Sequence, residues 1–414
     1  MVLLAQARLV APPHVDGGAI DLAPFSCAGA AQIVLVDGAP TPRSVAAAAA
    51  ALPAGVTLAP LSALTPSQAE LFLRNAVTSA ETHPSGAFDA LNASCCPDPL
   101  CLLVPPGVDC DGVALHMLHV CASAAGADGG VPCVQPRLLV HLGAGAKATL
   151  VEEFVATQEV AQRAAAAEGA STAAGEVATV CTVNAVLAAH LDAGASLTHG
   201  RVSMLRGAIA GLGLTTVAQS QGSSYALTSC TVAGSLARHD VAINQLGAAT
   251  HTAQRAFVLA GTRTATGETH TRLALAYPDS TATQLHKCIA AAPGATCVFD
   301  GGVHLQRAAQ RTDAQQLSRA LLLAPRASVH AKPTLQICAD DVRCSHGCSV
   351  ADLSADELFY FAARGIDAAA ARDALVYSFG AEVVDALPAG LAEVIARLRL
   401  AVRHELRLAQ QKRV

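Results

Sequence analysis

The sequence predicts a mainly β chain with a right-handed parallel β-helix at its centre, a mixed α/β region before it and a helical domain after it. Three observations carry that prediction. From residue 131 to about 343, short runs of Val, Thr, Leu and Ala alternate with polar residues and are broken by small-residue corners. The corners return at long, similar intervals, as they do when each strand pairs with a neighbour one coil away. After Val350 the apolar spacing changes from a period of two to that of a helix.

The region 1–130 is loop-rich, with two apolar strand candidates, AQIVLVDG (31–38) and LCLLVP (100–105). A helix is expected from Ser67 to about Ala80, with Glu70 at capping-box spacing from Ser67. The β-helix is expected over 131–350. Its corners fall at Gly145-Ala146, Gly194-Ala195, Gly247-Ala248, Gly294-Ala295 and Arg326-Ala327, and Gly222 and Gly267 divide two of the intervals. The resulting units are about 20–28 residues long, the size of a solenoid coil. A β-sandwich would give similar short strands, but with turns every 8–12 residues and no longer period. The low-complexity stretch 156–179 reads as an exposed excursion of one coil.

The domain 351–414 reads as three helices. Ser354 and Glu357 form a capping box ahead of LFYFAAR, and Gly365 stands at the stop. Asp367 caps the second helix, and Pro388 can start the third. Leu391, Val394, Ile395, Leu398, Val402 and Leu406 form one stripe on it, for which little chain remains as cover. Burial against another subunit is therefore expected.

Composition narrows the function. The 414 residues are 52 % hydrophobic, but only 3 % are aromatic and 14 % charged, so stability rests on many small repeated contacts. A net charge of −5 argues against nucleic-acid binding. The best candidate for a membrane span, residues 45–61, is cut by Pro53 and Pro60, so membrane insertion is not expected. The N-terminus lacks the basic and apolar regions of a secretory signal. Fourteen scattered cysteines without C-x-x-C spacing then read as free thiols, most of them simply buried. With no G-x-x-x-x-G-K-[ST], any input of ATP energy has to come from a partner.

One stretch gathers chemistry. CADDVRCSHGCSV (338–350) puts Cys338, Cys344, His346 and Cys348 at even positions, on one face of an extended strand. Thiolate and imidazole are the ligands of iron, zinc and iron–sulfur clusters. A flat row cannot surround an ion, so it fits an open half-site completed by a second chain; plain packed thiols are the bland alternative. A Cys/His nucleophile lacks a third, orienting residue. A carbohydrate-active β-helix would use carboxylates such as Asp300, Asp313, Asp340 and Asp341, but these are sparse and sugar-stacking aromatics are missing. Asp340-Asp341 reads better as the end of a strand. A purely structural solenoid is the remaining alternative.

KPTLQICADDVRCSHGCSV followed by LFYFAARGI resembles the signature of the SufB/SufD family, the scaffold subunits of SUF iron–sulfur cluster assembly. FDGGVHLQRAAQRTDAQQLSRALLL, VDGAPTPRS, LPAGVTL, FDALNAS and QPRLLVHLGAGAKATLVEEF extend the resemblance over nearly the whole chain. DVRCSHG, where SufB carries a segment like EHEAST, places it on the SufD side. The resemblance implies a non-enzymatic scaffold whose β-helix pairs with a SufB-like subunit. It also implies that the C-terminal helices dock a SufC-like ABC ATPase through Leu358, Phe359, Tyr360, Arg364 and Gly365. Cys344 and His346 would hold iron or a transient iron–sulfur cluster shared with the SufB-like chain, in a plastid stroma or a bacterial cytoplasm. Three departures stand out. Cys348 replaces a small Ala, Ala274-Leu275 and Asp279 replace an Asp-His pair and a later His, and the front segment with its W-[KR]-Y-T signature is missing.

Overall fold

The computed structural model describes residues 8–12, 20–82, 86–126, 129–170, 178–388 and 390–411. The chain opens with β1 (Leu9–Val10), β2 (Ala31–Val36), β3 (Ala39–Pro40), α1 (Pro42–Ala51) and β4 (Thr57–Pro60). Then come α2 (Pro66–Thr82), α3 (Ala87–Cys95), β5 (Leu100–Val104), β6 (Leu115–Cys121) and β7 (Val131–Val134). Regular coils follow: β8 (Arg137–Leu142) and β9 (Lys147–Ala156), helix α4 (Gln158–Gly169), then β10 (Cys181–Leu191) and β11 (Ser196–Ser203). They continue as β12 (Ile209–Gln219) and β13 (Ser224–Val232), β14 (Leu236–Gln245) and β15 (His251–Ala260), β16 (Thr266–Leu275) and β17 (Thr281–Ala290). The last are β18 (Thr296–Leu305) and β19 (Thr312–Leu322), then β20 (Ser328–Ile337) and β21 (Val342–Ala351). Three helices end the chain: α5 (Ala355–Ala362), α6 (Ala368–Val384) and α7 (Ala392–Gln411).

The predicted parallel β-solenoid is what the chain forms. Even-numbered strands β8 to β20 lie side by side in an eleven-stranded sheet, and odd-numbered strands β9 to β21 in a ten-stranded one. Cys181 lies beside Ile209, Ala237 beside Gly267 and Thr296 beside Ser328, so these coils take 28, 30 and 32 residues. Most exceed the expected unit, because two strands of about ten residues and both corners must fit into each. Nor do the sheets stop at residue 131: β5 pairs with β8, β6 with β9, and β2 with β6, all in parallel.

Inward-facing positions stack in register. One column runs Ala148, Leu197, Tyr225, Thr252, Ala282, Ala314 and Cys344. The next runs Leu150, His199, Leu227, Gln254, Gln284, Gln316 and His346. The corners stack too. Gly145, Gly194 and Gly222 have φ of +67°, +70° and +68°, which glycine adopts without steric cost, and each donates its N–H to a carbonyl of the next coil. Ala249, Asp279 and Arg311 continue the stack with positive φ and the same bond, so the corner expected at Gly247-Ala248 centres on Ala249. Gly267 is no corner. It lies inside β16, where a Cβ would come within 2.3 Å of Val258 Cγ1.

The C-terminal stripe is covered by this chain itself, against the expectation of a partner. Leu391, Val394, Leu398, Val402 and Leu406 are buried in one cluster with Phe257, Leu259 and Val202 on the outer face of the odd-numbered sheet. Burying each such side chain contributes about 1.5–3 kcal/mol. Polar contacts fasten the helices: Arg397 Nε donates to Glu153 Oε1 at 2.8 Å, Arg206 pairs with Glu405 at 3.2 Å, and Lys287 pairs with Glu382.

Caps behave as expected at α5, where Ser354 Oγ accepts from the Glu357 N–H, and at α6, where Asp367 accepts from Ala369 and Ala370. Helix α7 begins at Ala392 rather than at Pro388. At α2 the box is Thr65–Gln68, not Ser67–Glu70: Gln68 N–H donates to Thr65 Oγ1 and Thr65 N–H to Gln68 Oε1, while Glu70 pairs with Arg74. The excursion at 156–179 contains α4, which buries Val160 and Ala164 against Phe154 and Ile209; residues 171–177 lie outside the described ones.

Candidate functional site

Strand β21 is the last strand of its sheet, paired on one side only, with β19. The even positions of β19 (Ala314, Gln316, Ser318 and Ala320) are buried inside the solenoid. Cys344, His346, Cys348 and Val350 lie directly beside them, so they face the same interior. Among the described residues, no further coil covers them. Val342 and Cys344 still pack on the interior core, whereas His346 and Cys348 are exposed. The inward face of β21 is thus left uncovered at the end of the stack, with Cys344, His346 and Cys348 on it.

Cys344 and His346, two residues apart, share that face. Cys338 does not join them. Strand β20 ends at Ile337, so Cys338 sits in the corner between β20 and β21, and the expected row of four is a row of three. Cys348 lies on the face, beside Ser318. Burial pushes the Cys344 thiol above its ordinary pKa and nearby Asp313 adds to the rise, against a backbone hydrogen bond from Ala314 that lowers it. The free thiol therefore keeps its proton, and a bound cation would have to displace it. Among the described residues, no group of three or more His, Cys, Asp or Glu side chains is disposed to hold a metal ion.

Behind His346 stands a polar file that spacing within the strand did not reveal. Gln284 Nε2 donates to Gln254 Oε1 at 2.7 Å and also faces Thr271 Oγ1 at 2.7 Å. Gln316 Nε2 donates in turn to Gln284 Oε1. Gln316 Oε1 is buried and has no hydrogen-bond partner among the described residues. A signal was present in the sequence: Gln254, Gln284, Gln316 and His346 each follow the last by one coil length.

The four carboxylates of the carbohydrate alternative do not converge. Asp300 pairs with Arg272 at 2.9 Å on the other sheet, Asp313 is the second residue of β19, and Asp340 and Asp341 lie in the β20–β21 corner. There the Asp341 carbonyl accepts from the Arg311 N–H, as expected for the end of a strand.

A second surface begins three residues after β21. On α5, Phe359 is 74 % exposed and Tyr360 56 %. Arg364 stacks its guanidinium 3.4 Å from the Tyr360 ring centre and donates to the Tyr360 carbonyl. Leu358 is half-buried, and Gly365, with φ +77°, ends the helix. Phe359 and Tyr360 thus form a small exposed aromatic patch on α5.

A family described as the SUF system FeS cluster assembly SufBD core domain matches residues 123–379, more than half of the sequence. The chain belongs to the SufBD family of iron–sulfur cluster assembly proteins. It is 36 % identical over 302 residues to the chloroplastic protein ABCI7 of Arabidopsis thaliana, a match covering 73 % of this chain and 59 % of that one. It is 35 % identical over 279 residues to an iron–sulfur cluster assembly SufBD family protein of Synechocystis, covering 65 % and 56 %. The iron–sulfur cluster assembly protein SufD of Escherichia coli is 40 % identical over 117 residues, 28 % of this chain and 27 % of that one. This SufBD protein therefore spans less than two thirds of the first two relatives. Among its described residues no helix is long and apolar enough to cross a membrane.

Proposed function

We propose that the protein is a non-catalytic scaffold subunit of SUF cluster assembly, working as half of a shared site. Cys344 and His346 supply one sulfur and one imidazole to iron, or to a nascent iron–sulfur cluster carried as cargo. A SufB-like chain laid against the open edge supplies the remaining ligands. The reading rests on one observation: both side chains lie on an inward strand face that the end of the stack leaves uncovered. Two ligands cannot close a tetrahedral site, so a lone chain with this geometry needs a partner. Relatives named as chloroplastic and from a cyanobacterium support a plastid stroma or a bacterial cytoplasm as the compartment.

The aromatic patch on α5 fits a SufC-like ABC ATPase as occupant, since the sequence carries no G-x-x-x-x-G-K-[ST] motif. Leu358, Phe359, Tyr360, Arg364 and Gly365 are the contact residues in this reading. Its central test is His346→Ala in the complex assembled with SufB-like and SufC-like subunits. Cluster formation, read by visible absorption after anaerobic reconstitution, should be lost while the subunits still co-purify. An unchanged cluster yield overturns the proposal.

A further inference from the structure

The glutamine file inside the last coils has a direction, and the direction ends at His346. Each amide uses its Nε2 to donate backward, Gln284 to Gln254 and Gln316 to Gln284, so each Oε1 faces forward to the next coil. Gln284 Oε1 is satisfied by Gln316, but Gln316 Oε1 is buried without a donor. Its own coil offers none. Where the Gln284 amide meets Thr271 across the interior, the next coil has Gly301, placed so that a Cβ would lie 2.5 Å from Gln316 Nε2; the coil after has Pro333. The neighbour that remains is His346, in register with Gln316 and on the same face; its exposed ring does not bond Gln316 Oε1 in this structure and would have to turn inward to do so. A buried amide oxygen left without a donor is costly, and an imidazole can supply one N–H.

We infer that Gln316 is a positioning residue for His346. Its Oε1 accepts one ring N–H of the histidine, holding the imidazole in a single tautomer with the other nitrogen's lone pair directed out of the solenoid. Second-layer partners of this kind orient metal-binding histidines in general. The inference rests on the half-site reading for its purpose, but the hydrogen bond itself does not.

Nuclear magnetic resonance of the full-length chain labelled with nitrogen-15 histidine tests it. A ring N–H of an exposed histidine exchanges with water too fast to be seen, whereas one bonded to a buried acceptor is protected and visible. The wild type should show such a resonance, identified among the 15 histidines by its loss in His346→Ala. It should vanish in Gln316→Met, which has no acceptor, and persist in Gln316→Glu, which keeps an oxygen. It should also persist in Gln254→Met, two coils away, which controls for general loosening of the file. Absence of the resonance in the wild type, its survival in Gln316→Met, or its loss in Gln316→Glu overturns the inference. If the resonance behaves as expected but His346→Ala leaves cluster yield unchanged, the positioning bond stands and the half-site falls; the reverse pair of results separates them the other way.

Discussion

The coil holding Phe257 and the coil holding His346 come from the same repeat, yet one is covered on both sides and the other is not. On β15, Phe257 faces outward into the cluster made by α6 and α7, so close to Gly380 that a Cβ there would lie 2.8 Å from its ring. On β21 even the inward positions meet solvent after Cys344. Burial in this fold is set by what lies next to a strand rather than by the strand's own pattern. Cysteines and histidines are buried inside the stack as well, and only at its cut end do they meet solvent from an inward position.

The largest effect expected from breaking this contrast is a comparison of two phenylalanines. Phe257→Ala empties a packed site and should cost about 3–5 kcal/mol in denaturant unfolding. Phe359→Ala should leave stability within about 0.5 kcal/mol of wild type but weaken binding of a SufC-like ATPase severalfold in a pull-down titration. Equal stability losses would erase the distinction.

Next in size is the strap that holds α7. Arg397 makes a two-point contact with Glu153, which also bonds His116 at 2.9 Å and is fully buried. Burial alone would raise the Glu153 pKa, but hydrogen bonds from His116 and Arg397 outweigh it and hold the carboxyl below its ordinary value. The stability this carboxylate gives is present above its unfolded pKa, about 4.3, and is lost as pH falls through the lower folded value. Arg397→Met should therefore cost about 3 kcal/mol at pH 7. It should also show a smaller further loss on acidification than wild type, followed by circular dichroism across pH 7 to 2. A mutant whose acid transition matches wild type would show that the strap contributes nothing.

The smallest effect belongs to the open face. His346→Ala should lower the unfolding free energy by only about 1 kcal/mol, the worth of one hydrogen bond to Gln316 Oε1, because the rest of the side chain is exposed at a strand edge. A loss of several kcal/mol would mean that the last coil is closed in solution.

The repeat was legible because corners built on glycine leave a mark in the sequence, and the caps at Ser354 and Asp367 because they are local. Other corners were not. Ala249, Asp279 and Arg311 adopt the same left-handed conformation without glycine, held by the stacked main-chain bond and, for the last two, by an Arg311–Asp279 ion pair at 2.6 Å. Such support comes from the neighbouring coil, some 30 residues away, where no local reading can find it. Gly267 misled for the opposite reason, since there glycine supplies space and not a turn. Even spacing brought Cys344, His346 and Cys348 together but wrongly included Cys338, because the strand ends one residue before it. The stripe on α7 was read correctly as apolar, and its cover was missed because the outer face of the solenoid belongs to distant strands.

The chain from Ala351 to Ala355 has a mechanical meaning. Only Asp352, Leu353 and Ser354 join the strand bearing His346 to the helix bearing Phe359 and Tyr360. Fully stretched, three residues reach about 10 Å, and this link is already tied down by Asp352 to Arg372 and by Leu353 in the outer cluster. It has little slack. A pull of more than a few ångströms on the aromatic helix must therefore snap those ties or drag the edge strand with it, and the imidazole travels with the strand.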